Sequence, residues 1–228
     1  SLKGYSLNND LHESTGLPIF AANDATLAAL SEYKFGLQNA VSNMVYLTLS
    51  TGVGGGQIID GKIHNGSRGF AAEWGHLTLD FNGNPCNCGS TGCFETYCSG
   101  PSIVRLAKEI LSETSTKSTL TQHLNNLTPL NIASAARQGD RFSIELWDRI
   151  GSYLGVALSV ILNTLDPDVI VIGGGVSSAL DLMMKAARQE IKVRALYPYD
   201  NDIPVVSAKL GDDAGLIGAA ALAFDNIN

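Results

Sequence analysis

No stretch of this 228-residue chain approaches the ~18 uninterrupted apolar residues that a membrane span needs. The first ten residues, SLKGYSLNND, hold no apolar signal core and no initiator Met. The chain therefore reads as cytoplasmic, either processed or part of something longer. Clustered Lys and Arg are missing too: 15 basic residues stand against 22 acidic ones, a net charge of −7. Phosphate contacts need basic clusters, so nucleic acid is not an expected partner of this segment. There is no internal repeat, low-complexity tract or obvious linker. Cysteine is scarce, four in all, and without a secretory signal a cluster of them points to metal rather than to a disulfide framework. What remains is a globular composition, 45% hydrophobic and 16% charged, long enough for one large domain or two small lobes.

Hydrophobic periodicity organises the rest. GLPIFAANDATLAALSEYKFG (16–36) reads as a short strand running into a helix that stops near Gly36. NMVYLTLS (43–50) is a strand, TGVGGG (51–56) a tight glycine turn, and QIIDGKI (57–63) a returning strand with Asp60-Gly61 as a hairpin turn. Helices follow at SGPSIVRLAKEIL, with Ser99 as N-cap, at TPLNIASAARQGD and over the long apolar run 141–165. PDVIVIGGG reads as a buried strand ending in glycines, then come an amphipathic helix, the strand IPVVSA and a closing helix. The order predicts an α/β domain with glycine turns at strand ends, where such folds bind phosphates.

Three of the four cysteines fall within eight positions of GHLTLDFNGNPCNCGSTGCFE (75–95). His76, Cys86, Cys88 and Cys93, spaced H-x9-C-x-C-x4-C, suit tetrahedral zinc, and Gly83, Gly89 and Gly92 permit the turns. A set of buried, uncoordinated thiols is the bland alternative, though three cysteines beside so much Gly and Asn make a poor core. Four protein ligands leave no open position, so such a zinc is a staple and not a catalyst. Glu73 and Glu95 flank the ligand set and would be held rigidly by it, where otherwise they would read as solvated loop charges.

EWGHLTLDFNGNPCNCGSTGCFE resembles the signature of the ROK family (repressors, open reading frames and sugar kinases), E-x-G-H followed by C-x-C-G-x-x-G-C-x-E. NDATLAALSE, TGVGGGQIIDGKI and VIVIGGGVS extend the resemblance over nearly the whole chain from about Leu17. It implies an α/β fold of the actin-like ATPase (ribonuclease H-like) kind, with a sugar between two lobes. It implies Asp24 as general base, and a sugar site of Asn23, Asp24, Glu73, His76 and Glu95. His76, Cys86, Cys88 and Cys93 match the structural zinc ligands, while Cys98 matches nothing and reads as a small buried residue. Thr51, Gly52, Gly54 and Gly55 match a phosphate loop, and Gly173, Gly174 and Gly175 the nucleotide-side loop, with ATP and Mg as expected partners of the complete kinase. Taken alone, Asn23-Asp24 is also a good helix cap, and both glycine runs also serve plain turns or packing.

Two departures are mild: Ala72 stands where the family often has Gly, and Ala22 where it often has Glu. The third is larger. The family's first phosphate loop, D-x-G-G-T, is missing upstream of Asn23. Residues 1–24 therefore read as a remnant of the small lobe and 25–228 as the large lobe, with the zinc loop at 76–95. The expectation is an ATP-dependent hexose kinase of the glucokinase type whose 228 residues alone are inactive. A sugar-sensing domain of a ROK repressor is the alternative, and a zinc-stapled binding domain without catalysis a third. A homodimer is expected from the resemblance and from the apolar helix near 141–165.

Overall fold

The computed structural model describes residues 6–113, 117–196 and 203–227; the first five residues of the expected small-lobe remnant lie outside these. Five strands, β1 (Met44–Leu49), β2 (Val53–Ile59), β3 (Lys62–Ile63), β4 (Val169–Gly173) and β5 (Val205–Ser207), form one mixed sheet. Its order is β3-β2-β1-β4-β5, with β1–β2 and β2–β3 antiparallel and β1–β4 and β4–β5 parallel. The hairpin at Asp60-Gly61 forms as predicted, both residues having positive φ (51° and 74°), which a tight two-residue turn requires.

β1 and β4 are apolar on both faces because both faces are covered. Met44 and Tyr46 point to one side with their partners Val169 and Val171. Val45, Leu47, Leu49, Ile170 and Ile172 point to the other. Such double burial is the mark of a sheet sandwiched between helices. α2 (Asp24–Ser31) and α8 (Ala214–Ile227) cover the first face. α3 (Glu95–Cys98), α4 (Gly100–Glu113), α5 (Pro129–Arg137), α6 (Arg141–Leu165) and α7 (Leu180–Arg194) build the core on the second. Each fully buried Leu, Ile or Phe there contributes on the order of 1.5–3 kcal/mol. α1 (Leu7–Thr15) has no buried residue.

Local signals explain the helix starts. Asn23 caps α2, Thr128 and Asn131 form a capping box at α5, and Asp140 accepts from the Ser143 N–H at the start of α6. α6 spans the predicted 141–165, and its apolar content covers the chain's own core. Ile144 and Val160 are its exposed large apolar residues, so the helix's composition lends no separate support to a dimer face. α8 lies close on α2 because Gly218 faces the Leu27 carbonyl, where any side chain would collide.

Two expectations are corrected. The short strand expected ahead of α2 does not form: residues 16–23 carry no strand and lead directly into the Asn23 cap. TGVGGG is not a turn throughout: the reversal is confined to Ser50–Gly52, and Val53–Gly56 already belong to β2. Its glycines are required by neighbours. A Cβ on Gly55 would overlap the Trp74 indole and stand 2.7 Å from the Ala72 carbonyl oxygen, and one on Gly56 would stand 2.6 Å from the Ala29 Cβ.

Candidate active site and metal centre

The cysteine loop begins at a 3-10 turn, Trp74–His76, pressed onto β2. It is closed by the bridge Thr78–Cys93 and tightened by Pro85–Thr91. Gly89 and Gly92 take positive φ (92° and 66°), which the turns between the cysteines demand. The result gathers His76, Cys86, Cys88 and Cys93 with all four ligand atoms within 4.8 Å of one another. His76 Nδ1 is 3.8 Å from Cys86 Sγ, and Cys88 Sγ is 3.7 Å from Cys93 Sγ. A tetrahedral zinc with Zn–S bonds of about 2.3 Å sets its ligands about 3.8 Å apart. The donor set and its spacing therefore fit zinc. Cys98 is fully buried and points its thiol at the Ile150 carbonyl, outside the cluster.

The cluster's thiols are poised unequally. Burial, then the neighbouring Cys86 and Cys88, push Cys93 up to about 12. The Ser90 main-chain N–H, then the Cys86 side chain, hold Cys88 below the ordinary thiol value. Binding a cation is what would let all three become thiolates together.

A chain of contacts runs from this cluster to both glutamates. Glu73 Oε2 lies 4.0 Å from His76 Nε2, on the far side of the ring from the cysteines. Glu95 Oε1 is 3.9 Å from Cys86 Sγ, and its Oε2 accepts from the Val53 N–H at 3.0 Å. Gly52 makes that possible: a Cβ there would stand 2.5 Å from Glu95 Oε2. Ala72, just before Glu73, has φ of 67°, the left-handed region that favours glycine, which accounts for glycine suiting this position.

Three cavities meet at the carboxyl ends of β1 and β4, where open α/β sheets bind ligands. One of about 260 Å³ holds Asp24, Tyr46, Thr48, Ser50, Gly174, Gly175, the turn residues Gly211 and Asp212, and Ala214 and Gly215 at the start of α8. An apolar one of about 560 Å³ runs from Ser50 and Thr51 over Gly175 and Val176 to Pro101, Val104, Leu127 and Leu130. A third of about 590 Å³ holds Thr51, Cys86, Glu95 and Arg105. Ser50 lines the first two and Thr51 the last two, so the β1–β2 turn is their common wall.

Asn23 Oδ1 accepts from the Ala25 N–H at 2.9 Å and the Thr26 N–H at 3.4 Å. Asp24 Oδ1 accepts from Ala25 N–H at 2.8 Å. Each side chain is thus oriented by the helix it caps, with Asn23 Nδ2 and Asp24 Oδ2 left for a ligand. Tyr46 stays a neutral phenol: burial first, then Glu32, and to a smaller extent Asp24, raise its pKa against a hydrogen bond with Thr48.

Of the predicted residues, Asp24, Thr51, Glu95, Cys86, Gly174 and Gly175 line the three cavities. His76, a member of the metal cluster, and Glu73 beside it do not line them, and Gly54 and Gly55 serve strand packing. Gly173 packs beneath the Tyr46 hydroxyl. Sequence reasoning missed Tyr46, Thr48 and the Gly211–Gly215 segment, and the apolar wall at Val104, Leu127 and Leu130. Only Gly211, before a run of small helical residues, carried a local hint.

The family model of the ROK family matches residues 1–226. The chain belongs to the ROK family. The match begins upstream of Leu17, and the fold is the actin-like ATPase fold of ROK proteins. A glucokinase of Halalkalibacterium halodurans is 40% identical over 96% of this chain and 68% of its own length. The structure of a ROK glucokinase from Streptomyces griseus with glucose and AMPPNP superposes with a TM-score of 0.83 and 34% identity, over 96% of this chain and 72% of that one. A ROK transcriptional regulator, a homologue of the E. coli MLC protein, superposes with a TM-score of 0.86 and 31% identity, over 96% of this chain and 55% of the regulator. Both ROK branches thus share this architecture. Among the described residues, no helix is long and apolar enough to cross a membrane.

Proposed function

We propose that this chain forms the sugar- and nucleotide-binding part of an ATP-dependent hexose kinase of the glucokinase type. The observation that carries the reading is the company Asp24 keeps. Its carboxylate lines the same small cavity as Gly174, Gly175 and the start of α8, and that cavity shares Ser50 with the large apolar one. A base, main-chain N–H groups suited to phosphate and a slot suited to an adenine ring then adjoin in one line.

In this reading Asp24 Oδ2 accepts the proton of the attacking sugar hydroxyl, while Oδ1 is held by the Ala25 N–H. Asn23 Nδ2 donates to a neighbouring hydroxyl. Glu73 and Glu95 accept from further hydroxyls through charge-assisted bonds; Glu73 stands beside His76 Nε2 and Glu95 beside Cys86 Sγ, so both adjoin the metal cluster. Glu95 also bonds the Val53 N–H, so a sugar it holds is fixed relative to the β1–β2 turn. Zinc would be held by His76, Cys86, Cys88 and Cys93 and would supply rigidity, not Lewis acidity, since its four positions are filled. The apolar cavity takes the base of ATP, and the Ser50–Thr51 turn with Gly174 and Gly175 takes its phosphates, Mg arriving with the nucleotide.

The similarity to a ROK regulator favours a second reading, a sugar sensor in a transcriptional repressor. Zinc and sugar carboxylates serve both. Phosphoryl transfer separates them. In a protein carrying these residues and the small lobe, glucose phosphorylation by ATP is expected in a coupled assay. Asp24→Asn then lowers kcat by roughly 10²–10⁴-fold and leaves glucose affinity much less changed. Saturable hexose binding without transfer to any hexose moves the assignment to the sensor.

A further inference from the structure

α2 ends on a second carboxylate that this mechanism does not use. Glu32 sits where α2 passes into a π-helical turn, Glu32–Gly36. Such turns recur at functional positions. Glu32 is 1% exposed, and a buried carboxylate is costly unless its charge is met by donors. The donors here are main-chain: Oε1 accepts from the N–H of Lys209 at 2.9 Å and of Leu210 at 2.7 Å. Gly36 leaves room for the other oxygen, since a side chain there would collide with Oε2. Lys209 Nζ donates back to the Gly36 carbonyl at 2.7 Å, closing the clamp from the opposite side.

What the clamp holds is the root of the Gly211–Asp213 turn, where Gly211 takes φ of 57° before α8 begins. That segment, with Asp212, Ala214 and Gly215, is the wall opposite Asp24 in the 260 Å³ cavity. Asp24 and Glu32 are the two ends of one helical rod, about 12 Å apart along its axis. One end presents the base, and the other fixes the wall that faces it. An apolar side chain at position 32 could fill the same space but could not hold two N–H groups in one orientation.

We propose that Glu32 is a positioning residue for phosphoryl transfer. Its carboxylate fixes the Lys209–Leu210 main chain so that Gly211–Gly215 stands against the transferring phosphate. The proposal rests on the kinase reading above, which supplies the cavity's occupant. Glu32 itself touches no substrate.

The test uses the protein with both lobes and the variants Glu32→Ala and Glu32→Gln. Asp140→Asn is the control for stability alone: Asp140 likewise accepts main-chain N–H bonds, from Thr119 and Ser143, but lines none of the three cavities. Amide exchange at 209–215, KM for ATP and calorimetric glucose affinity are measured. Glu32→Ala is expected to raise KM for ATP roughly tenfold, to lose amide protection at 209–210 and to keep its glucose affinity. Glu32→Gln, a weaker neutral acceptor of the same shape, is expected to raise it about threefold. Asp140→Asn lowers Tm without moving KM for ATP. A wild type without phosphoryl transfer removes the kinase reading and this proposal with it. A wild type that transfers, beside a Glu32→Gln variant with unchanged KM for ATP or either variant with an equal loss of glucose affinity, overturns the positioning role alone.

Discussion

Replacing Gly55 by Ala separates two roles that a glycine run can have. In an unobstructed strand the change would stabilise, since glycine in a strand interior costs about 0.5–1 kcal/mol relative to alanine. Here the new methyl would overlap the Trp74 indole and lie 2.7 Å from the Ala72 carbonyl. The carbonyl is backbone and cannot swing away, and Trp74 is packed against the main core. Overpacking of this kind costs about 1–3 kcal/mol, so the net sign is destabilising. Less the glycine term, about 0–2.5 kcal/mol remains, which for a chain of this size lowers Tm by up to roughly 10 °C. Relief can come only by lifting the Trp74–His76 turn from β2, which shifts Glu73 and His76. Metal–ligand distances tolerate only about 0.2 Å, so zinc affinity falls with the Tm, and glucose affinity follows. KM for ATP stays near the wild-type value, because Gly55 lines none of the cavities assigned to the nucleotide. Thermal melts, zinc content after dialysis, and glucose and ATP titrations read all four quantities. A raised Tm, or a KM for ATP that rises while zinc and glucose binding are untouched, refutes the packing argument and returns Gly55 to a phosphate loop.

Elemental analysis should find about one zinc per chain; Cys88→Ser should lower that occupancy and the Tm, whereas Cys98→Ser should leave the stoichiometry unchanged. Metal-free protein with unaltered Tm would show that the loop needs no staple. Glu95→Ala removes a carboxylate bonded to the Val53 N–H and should weaken glucose binding by about 1.5–3 kcal/mol; equal affinity by calorimetry would take Glu95 out of the sugar site. Burial alone would raise the pKa of Asp140, but the N–H groups of Ser143 and Thr119 and the Ser143 and Ser118 hydroxyls outweigh it and hold the carboxyl low. Its stabilisation is thus complete above the unfolded value of about 4 and lost as pH falls below it. Asp140→Asn replaces charge-assisted acceptors of the Ser143, Thr119 and Ser118 donors by a neutral amide, so it should cost about 1 kcal/mol near neutral pH and flatten the acid limb of a pH–Tm curve, and an acid limb as steep as the wild type's would refute this.

Much of the molecule is legible in the amino-acid order because its signals are local. An apolar run between turn residues announces β4 as a buried strand, and the cap residues Asn23 and Ser99 sit at the helix starts they announce. The metal set is also local, since its ligands lie within 18 residues of one another in the sequence, and the glycines between them can only be turns. Gly55 shows the limit. Its freedom is visible in the sequence, but the reason for it, the indole of Trp74, arrives from another element.

The sequence by itself announced most of the elements, the four candidate metal ligands and, through the Asn23-Asp24 pair, the candidate base. Only the tertiary structure decided that Asp24 shares a cavity with Tyr46, Gly174 and Gly211. It alone showed that Glu95 is tied to the β1–β2 turn, and that Glu32 reaches main-chain groups 177 and 178 residues away. Those pairings have no period and no spacing. They follow from α2 and α8 packing on the sheet beside the inner strands β1 and β4, an arrangement set by burial on both faces of the sheet rather than by any residue that makes the contact.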